Sequence, residues 1–584
     1  MNLAEYINES RKVTTKAGMK QCKLAILSNF SVNGLGETLK VLCNKENIYV
    51  ENYTPSYNQY VQEILNKSSN LYQFNPDIIF LLIDGEYLLR GLYNFPYRLT
   101  STEREEYINK KFQELKELIN FLEQNTRSKV VINNFLLPSY YDRGILENKQ
   151  EFGLKKAIQV LNEKLDDLSK NDPQLFVFDV NLFAMKEGHS IKDWKMYYLA
   201  DMRFSPNSII SLSKEYMAYV FPLMSMTKKC IVLDLDNTLW GGIIGEDGIT
   251  KIKLGPEKEG KPFYDFQKKL LELSERGILL AINSKNNPKD ALEAINNHPY
   301  MLLKENNFVS VKINWNDKVK NLQEIAKELN IGLDSLVFID DDKTNRELVK
   351  ELLPEVFVLE LPEDPCEYVT SLEKLKIFNS FSITKEDLEK REMYLTERKR
   401  DELKSESINL ESFLEKLELK ITIFNVKEED ISRVSQLTQK TNQFNLTTKR
   451  YTEEDINFFL KNKEYLLKLI KVDDKFGDYG TTGLAIIKTI DPQKWELDNF
   501  LLSCRIIGKN IEFVFLQDII NEGKKKGIKQ LIAKFIPTEK NALASNFLNE
   551  VGFILKEEAG IEKRYVLNIG EEIKKQVYGE IKLC

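Results

Sequence analysis

The stretch CIVLDLDNT (residues 230–238) decides the fold of the middle of this chain. Its first half, Cys230 to Leu233, is an unbroken apolar run, as expected of a strand buried on both faces of a parallel sheet. Its second half carries two carboxylates, Asp234 and Asp236, at the strand's C-terminal end. Open α/β sheets bind ligands at that edge, and two acids placed there can converge on one hard cation such as Mg²⁺.

Outward from this point the pattern repeats. GILLAIN (277–283) reads as the next strand and leads into Ser284. In the following KNNPKDALEAI, Asn287 can cap a helix and Pro288 fits its first turn, so Ser284 lies beside helix-start amides suited to a phosphate. NDKVKNLQEIAKELN (316–330) predicts a helix whose apolar stripe holds Leu322, Ile325 and Leu329, with Lys318 on the same face one turn back. A lysine at the end of a buried stripe needs an anionic partner. The strand SLVFID (335–340) supplies candidates, because it ends in Asp340, Asp341 and Asp342.

These four pieces, in this order, resemble the four motifs of the haloacid dehalogenase (HAD) superfamily. The resemblance implies that Asp234 is a nucleophile forming an aspartyl-phosphate and that Asp236 is the general acid/base. Thr238, Ser284 and Lys318 would hold the phosphoryl oxygens. Asp234, Asp236 and Asp341 would bind Mg²⁺, and Asp340 would pair with Lys318. Such a set suits phosphoryl transfer, where positioning and charge neutralisation do most of the catalysis. From Asp234 to Ser284 is 50 residues and from Ser284 to Lys318 is 34. Each interval holds one helix and short loops, which implies a HAD core without a cap domain and an open site for a macromolecule or a protein-tethered group.

A narrower resemblance lies in LDLDNTLWGGIIGEDG (233–248), INSKNN (282–287), INWNDKVKNLQEIA (313–326) and LVFIDDDKTNRE (336–347), with Trp240-Gly241-Gly242 as a marker. These stretches are similar to FkbH-like proteins, HAD subfamily IIIC. The likeness extends to YNQYVQEILNKSSNLYQFNPDIIF (57–80) and LADMRFSP (199–206) on one side. On the other it extends to LTQKTNQFNLTTKRY (437–451), FGDYG (476–480) and LLSCRIIGKNIE (501–512). It implies an enzyme that takes 1,3-bisphosphoglycerate, releases phosphate and loads a glyceryl unit onto an acyl carrier protein for polyketide or related biosynthesis. One departure matters: glyceryl-transferring members commonly carry Cys-Ser-Lys-Asn where this chain has Asn283-Ser284-Lys285-Asn286. Asn283 cannot hold a thioester. Cys230 lies four residues before Asp234, too far along a strand rising ~3.3 Å per residue to substitute. Direct transfer to the carrier thiol, or another substrate, is therefore expected. Two other readings stay open: a HAD phosphatase acting on a small or tethered phosphoester, and a non-catalytic biosynthetic scaffold.

The whole chain, 584 residues with 42% apolar side chains, has room for several packed cores. The expected class is α/β in three domains. They are an SGNH-hydrolase-like or flavodoxin-like parallel sheet (1–225), the HAD core (226–380) and, after a charged and solvated helical linker (381–407), a GNAT acetyltransferase-like domain (408–584). In the first domain, Ser28 or Ser31 would be the nucleophile, but no histidine follows in LADMRFSP and His189 reads as a loop residue. A docking or lid element is expected there, without hydrolase activity. In the last domain, Arg505 and Gly508 match the start of the turn that cradles the CoA pyrophosphate in GNAT proteins, while Asn510 replaces its final small residue. Pantetheine binding is expected in place of acetylation.

A net charge of −6 with both signs interspersed argues against a nucleic-acid binder. The N-terminus has no apolar signal core, and runs such as IIFLLI (78–83) are too short to span a bilayer. Six scattered cysteines without a CxxC pair read as reduced thiols, hence a cytoplasmic protein without a membrane partner.

Overall fold

The computed structural model describes residues 1–94, 98–384, 393–394, 396, 400, 403, 410–570 and 579–583. The chain divides into two compact units, Met1–Met224 and Ser225–Cys584.

The first unit is a parallel sheet of β1 (Lys20–Ser28), β2 (Ile48–Tyr53), β3 (Ile78–Leu82), β4 (Lys129–Asn133) and β5 (Leu175–Phe178), ordered β2-β1-β3-β4-β5. All five residues of β3 and of β4 are buried, as continuous apolar strands covered on both faces must be. Among the covering helices, Ser101–Asn125 starts at a Thr100–Glu103 capping box, and Pro206–Leu223 starts at Ser205 with proline in its first turn. At the C-terminal edge, Asn29 Oδ1 accepts from the Asp84 amide at 2.8 Å. Arg203 lies 3.2 Å from Asp84 and 3.1 Å from Asp201. Ser28 Oγ accepts from the Phe30 amide, while His189 is exposed on the turn Gly188–Ile191.

The second unit holds two sheets. β6 (Cys230–Leu233), β7 (Leu279–Ser284), β8 (Phe308–Ile313), β9 (Leu336–Ile339) and β10 (Phe357–Val358) form a parallel sheet ordered β10-β9-β6-β7-β8. β6 is central and fully buried. Its neighbours are in step, with Leu233 opposite Ile282 of β7 and Ile339 of β9. Between β6 and β7 lie a four-residue helix, Ile244–Asp247, and the helix Lys261–Glu275; between β7 and β8 lies the helix Pro288–Asn297. This is the capless arrangement expected from the spacing.

The other sheet comprises β11 (Lys420–Asn425), β12 (Phe444–Asn445), β13 (Tyr465–Asp474), β14 (Gly477–Asp491), β15 (Lys494–Leu502), β16 (Gln530–Phe535), β17 (Ile554–Ala559), β18 (Glu562–Asn568) and β19 (Glu580–Leu583). It is mixed: antiparallel through β11-β13-β14-β15, with a parallel pairing of β15 to β16. Along β14, Ala485 and Ile487 join one apolar cluster, whereas Leu484 and Ile486 join another. Strand residues alternate in direction, so both faces are covered, which is why GLAIIK reads as unbroken apolar sequence.

The 381–407 stretch was expected to be a solvated helix. Most of it lies outside the described residues, but three that are described, Met393, Tyr394 and Arg400, are buried. Arg400 is drawn in by Asp474, whose carboxylate receives its Nε at 2.7 Å and Nη2 at 3.0 Å. Charge alone marks a helix as polar; it does not reveal a buried acid elsewhere in the sequence that can match one of its cations. No helix among the described residues is long and apolar enough to cross a membrane.

Candidate active site

The in-register ends of β9, β6 and β7 bring separated parts of the sequence to one edge. Asp234 follows β6 directly, and its amide donates to the Ile339 carbonyl at 2.9 Å. Asp340 and Asp341 follow β9, and Ser284 closes β7, two residues beyond the Leu233–Ile282 pair. Lys318 opens the helix Lys318–Glu328, whose N-cap Asp317 accepts from the Val319 amide. That helix faces the core with Leu322 and Ile325, as its stripe requires.

The carboxylate oxygens of Asp234, Asp340 and Asp341 lie within 4.8 Å of one another. Lys318 Nζ is buried between two of them, 2.5 Å from Asp340 and 3.0 Å from Asp234. Burial alone would lower the Lys318 pKa, but the charges of Asp234 and Asp340 outweigh it and hold the ammonium above its ordinary value. Burial, then the neighbouring charges of Asp234 and Asp340, push Asp341 up to about 6. Thr238 Oγ1 reaches Asp341 at 3.5 Å.

Three carboxylates against one ammonium leave two negative charges in a buried space. Asp234 Oδ1 is buried and has no hydrogen-bond partner among the described residues. An unpaired buried carboxylate oxygen is costly, so this donor set fits a hard divalent cation.

Asp236 is counted among the metal ligands in the sequence reading. Its carboxylate lies outside the group of three acids. Oδ1 accepts from Trp240 Nε1 at 2.8 Å and the Ile244 amide at 3.0 Å, and Oδ2 accepts from Asn286 Nδ2 at 2.8 Å. The backbone explains the turn: Asn237 adopts a left-handed φ of 51°, and its Oδ1 accepts from the Gly242 amide, closing the loop that carries the Trp-Gly-Gly sequence.

Sequence reasoning missed the residues that brace this site. Arg346 Nη1 donates to the carbonyls of Asp340 and Asp341 at 2.7 and 2.6 Å, fixing the acidic turn. Asn283 is fully buried; its amide donates to the Lys318 carbonyl at 2.9 Å, and its Oδ1 accepts from Asn321 at 3.0 Å. Runs of asparagine in NSKNN and NWN were the available signal, since buried carboxamides must be paired.

The remaining predicted pair is Arg505 and Gly508, at the turn before the helix Ile511–Lys525. Arg505 lines a cavity between the two sheets of the second unit, and Gly508 is exposed at φ 80° outside that lining.

Residues 23–220 match the family described as FkbH, N-terminal domain. Among solved structures, the chain is similar to the N-terminal part of a Bacteroides fragilis protein, described as containing a phosphatase domain complexed with Mg. The two are 28% identical with a TM-score of 0.60, over 65% of this chain and 100% of that one. Two weaker likenesses cover about a quarter of the chain. One is to a PaiA N-acetyltransferase from Thermoplasma acidophilum in complex with coenzyme A, at 17% identity and TM-score 0.21 over 25% of this chain and 98% of that one. The other is to a domain from Methanocaldococcus jannaschii, at 15% identity and TM-score 0.22 over 26% of this chain and 99% of that one. Comparison with the curated proteins gave no match.

Proposed function

We propose that this chain is a Mg²⁺-dependent, HAD-type phosphoryl-releasing enzyme that takes a phosphorylated three-carbon acid, such as 1,3-bisphosphoglycerate, and delivers its acyl group to an acyl carrier protein. The observation that carries the reading is the placement of Lys318 between Asp234 and Asp340, with Asp341 completing the acidic cluster. The Bacteroides fragilis relative, with its phosphatase domain and Mg, supports the phosphatase part, and the FkbH N-terminal match supports a biosynthetic setting.

Asp234 and Asp341 would hold the cation, with Asp340 turned to Lys318. When bound, Mg²⁺ supplies neutralising charge at the phosphoryl oxygens. An oxygen of Asp234 bonds to phosphorus as the ester P–O bond breaks, and Lys318 offsets the charge gathering on the phosphoryl group. Asp236 carries a proton to the leaving oxygen. It then takes one from the water that splits the aspartyl-phosphate to inorganic phosphate. Thr238 and Ser284, at the same sheet edge, offer hydroxyls to the phosphoryl oxygens. Asn283 offers no thiol, so the acyl carbon passes directly to the carrier's thiolate: a C–S bond forms, the anhydride C–O bond breaks and the second phosphate leaves. In this reading the first unit is a docking element, and the mixed-sheet domain with Arg505 and Gly508 receives the carrier's pantetheine arm.

The test is incubation with 1,3-bisphosphoglycerate, Mg²⁺ and an acyl carrier protein, followed by phosphate assay and intact mass. A heavier carrier with phosphate release supports the proposal. Phosphate without carrier loading indicates a phosphatase, and neither product indicates a scaffold.

A further inference from the structure

A second site lies at the opposite edge of the parallel sheet. A cavity of about 420 Å³ opens between that sheet and the mixed sheet of the same unit, within the size range of small-ligand pockets. Lys229, immediately before β6, and the segment 330–335, before β9, form one wall. Lys440, Cys504 and Arg505 are on the other, and Asn330 Nδ2 ties the two walls by donating to the Cys504 carbonyl at 2.9 Å. Asp234 lies five residues beyond Lys229, roughly 16 Å away along an extended strand. This cavity is therefore not the acidic cluster.

Among the described residues, Lys229 and Arg505 of this lining have no acidic partner. The Lys229 ammonium donates to the Lys440 carbonyl at 3.3 Å, and Arg505 reaches Ser503 Oγ at 3.2 Å and Met393 Sδ at 2.7 Å. All three partners are neutral. Asp334, which also lines the cavity, is engaged by Lys540. Glu355 and Glu539 also line the cavity but are exposed. Burial lowers the Lys229 pKa, with Lys440 and Arg450 acting in the same direction and Cys504 and Asp334 only partly opposing it, so its charged form is held at a cost that an anion would relieve.

We propose that this cavity binds a small phosphorylated molecule, held by the Lys229 ammonium and the Arg505 guanidinium beside the Cys504 thiol. Phosphate is favoured over a single carboxylate because it carries up to two charges and presents several oxygens to a guanidinium fork. Gln436, Thr441, Asn442 and Ser503 add neutral hydrogen-bonding groups for the rest of the ligand.

Cys504 reports on occupancy. The full-length protein without Mg²⁺ is alkylated with iodoacetamide, with and without inorganic pyrophosphate, and the modification rate is read by mass spectrometry at Cys504 and at exposed Cys366. Without the cation the acidic cluster repels pyrophosphate, so a failure here is separate from a failure of the phosphoryl-transfer reading. At ten times its dissociation constant, pyrophosphate should slow Cys504 alkylation about tenfold and leave Cys366 unchanged. The protection should be lost in Lys229→Met and in Arg505→Met. An unchanged Cys504 rate, or protection persisting in both variants, overturns the proposal. If Cys504 resists alkylation altogether, calorimetric titration of the Asp234→Asn protein with pyrophosphate decides: binding heat lost in Lys229→Met supports the site, and absent or unaltered heat overturns it.

Discussion

The side-chain amide of Asn283 donates to the backbone carbonyl of Lys318 at 2.9 Å, tying the end of β7 to the first residue of the helix that this lysine opens. Its carbonyl accepts from Asn321, which also bonds Asn314 at 3.1 Å, so three asparagines lock the helix start against the sheet. Asn283→Ala should leave two buried partners unmet and cost about 1–3 kcal/mol of stability. A shift of Lys318 by about 1 Å should lower the rate of phosphate release by up to ~100-fold. Steady-state kinetics should show the loss in kcat more than in KM, and urea unfolding should show the stability cost.

Removing the nucleophile and removing the lysine should have opposite effects on stability. Asp234→Asn deletes one of three mutually repelling carboxylates, so phosphate release should vanish while the unfolding midpoint holds or rises. Lys318→Met leaves Asp340, which is fully buried, without its counter-charge, and should cost about 3–5 kcal/mol. Urea midpoints of the two variants, measured beside the wild type without Mg²⁺, check the contrast. Equal destabilisation would contradict the charge arrangement.

Metal removal gives a third check. Two excess negative charges at the Asp234–Asp340–Asp341 cluster should make Mg²⁺ stabilising, by about 1.4 kcal/mol at ten times its dissociation constant. Chelation should abolish phosphate release and lower the thermal midpoint, with Mg²⁺ restoring both. In Asp341→Asn the gain in midpoint with Mg²⁺ should shrink, because a ligand and a charge are both lost.

Much of this was legible in the sequence because periodicity and chemistry agree there. The apolar runs of β6, β7 and β9 each end in polar residues, and parallel strands in register must bring those ends together. The direction of a side chain beyond a strand end was not legible. Asp234 and Asp236 look equivalent in DLDNT, yet the left-handed turn at Asn237 sends the Asp236 carboxylate to Trp240, Ile244 and Asn286. Partners distant in sequence were also hidden: nothing in the local pattern around Arg346 shows that it clamps the carbonyls of the turn preceding its own helix. The same holds for Arg400, whose acid lies 74 residues away.

That last pair yields a pH-dependent prediction. The Asp474 side chain is fully buried and accepts from Arg400 Nε and Nη2, from the Tyr479 hydroxyl at 2.7 Å and from the Phe476 amide at 2.8 Å. Burial would raise its pKa, but the hydrogen bonds from Arg400 and Tyr479 outweigh it and hold the carboxyl below the ordinary value. A depressed folded-state pKa contributes stability that is fully present above the unfolded value of about 3.9 and is lost as pH falls through the folded value. Arg400→Met should therefore destabilise the second unit by about 3–5 kcal/mol at neutral pH, by leaving a buried carboxylate alone. The difference between wild type and variant should be largest at neutral pH and narrow on acidification, first as the unpaired Asp474 carboxylate of the variant takes up a proton and then, below about 4, as the wild-type pair itself is protonated. Urea unfolding across that range measures it; a difference that instead stayed the same on acidification would show that Arg400 stabilises by packing on the Tyr479 ring, 3.7 Å from its centroid, with no contribution from the ion pair.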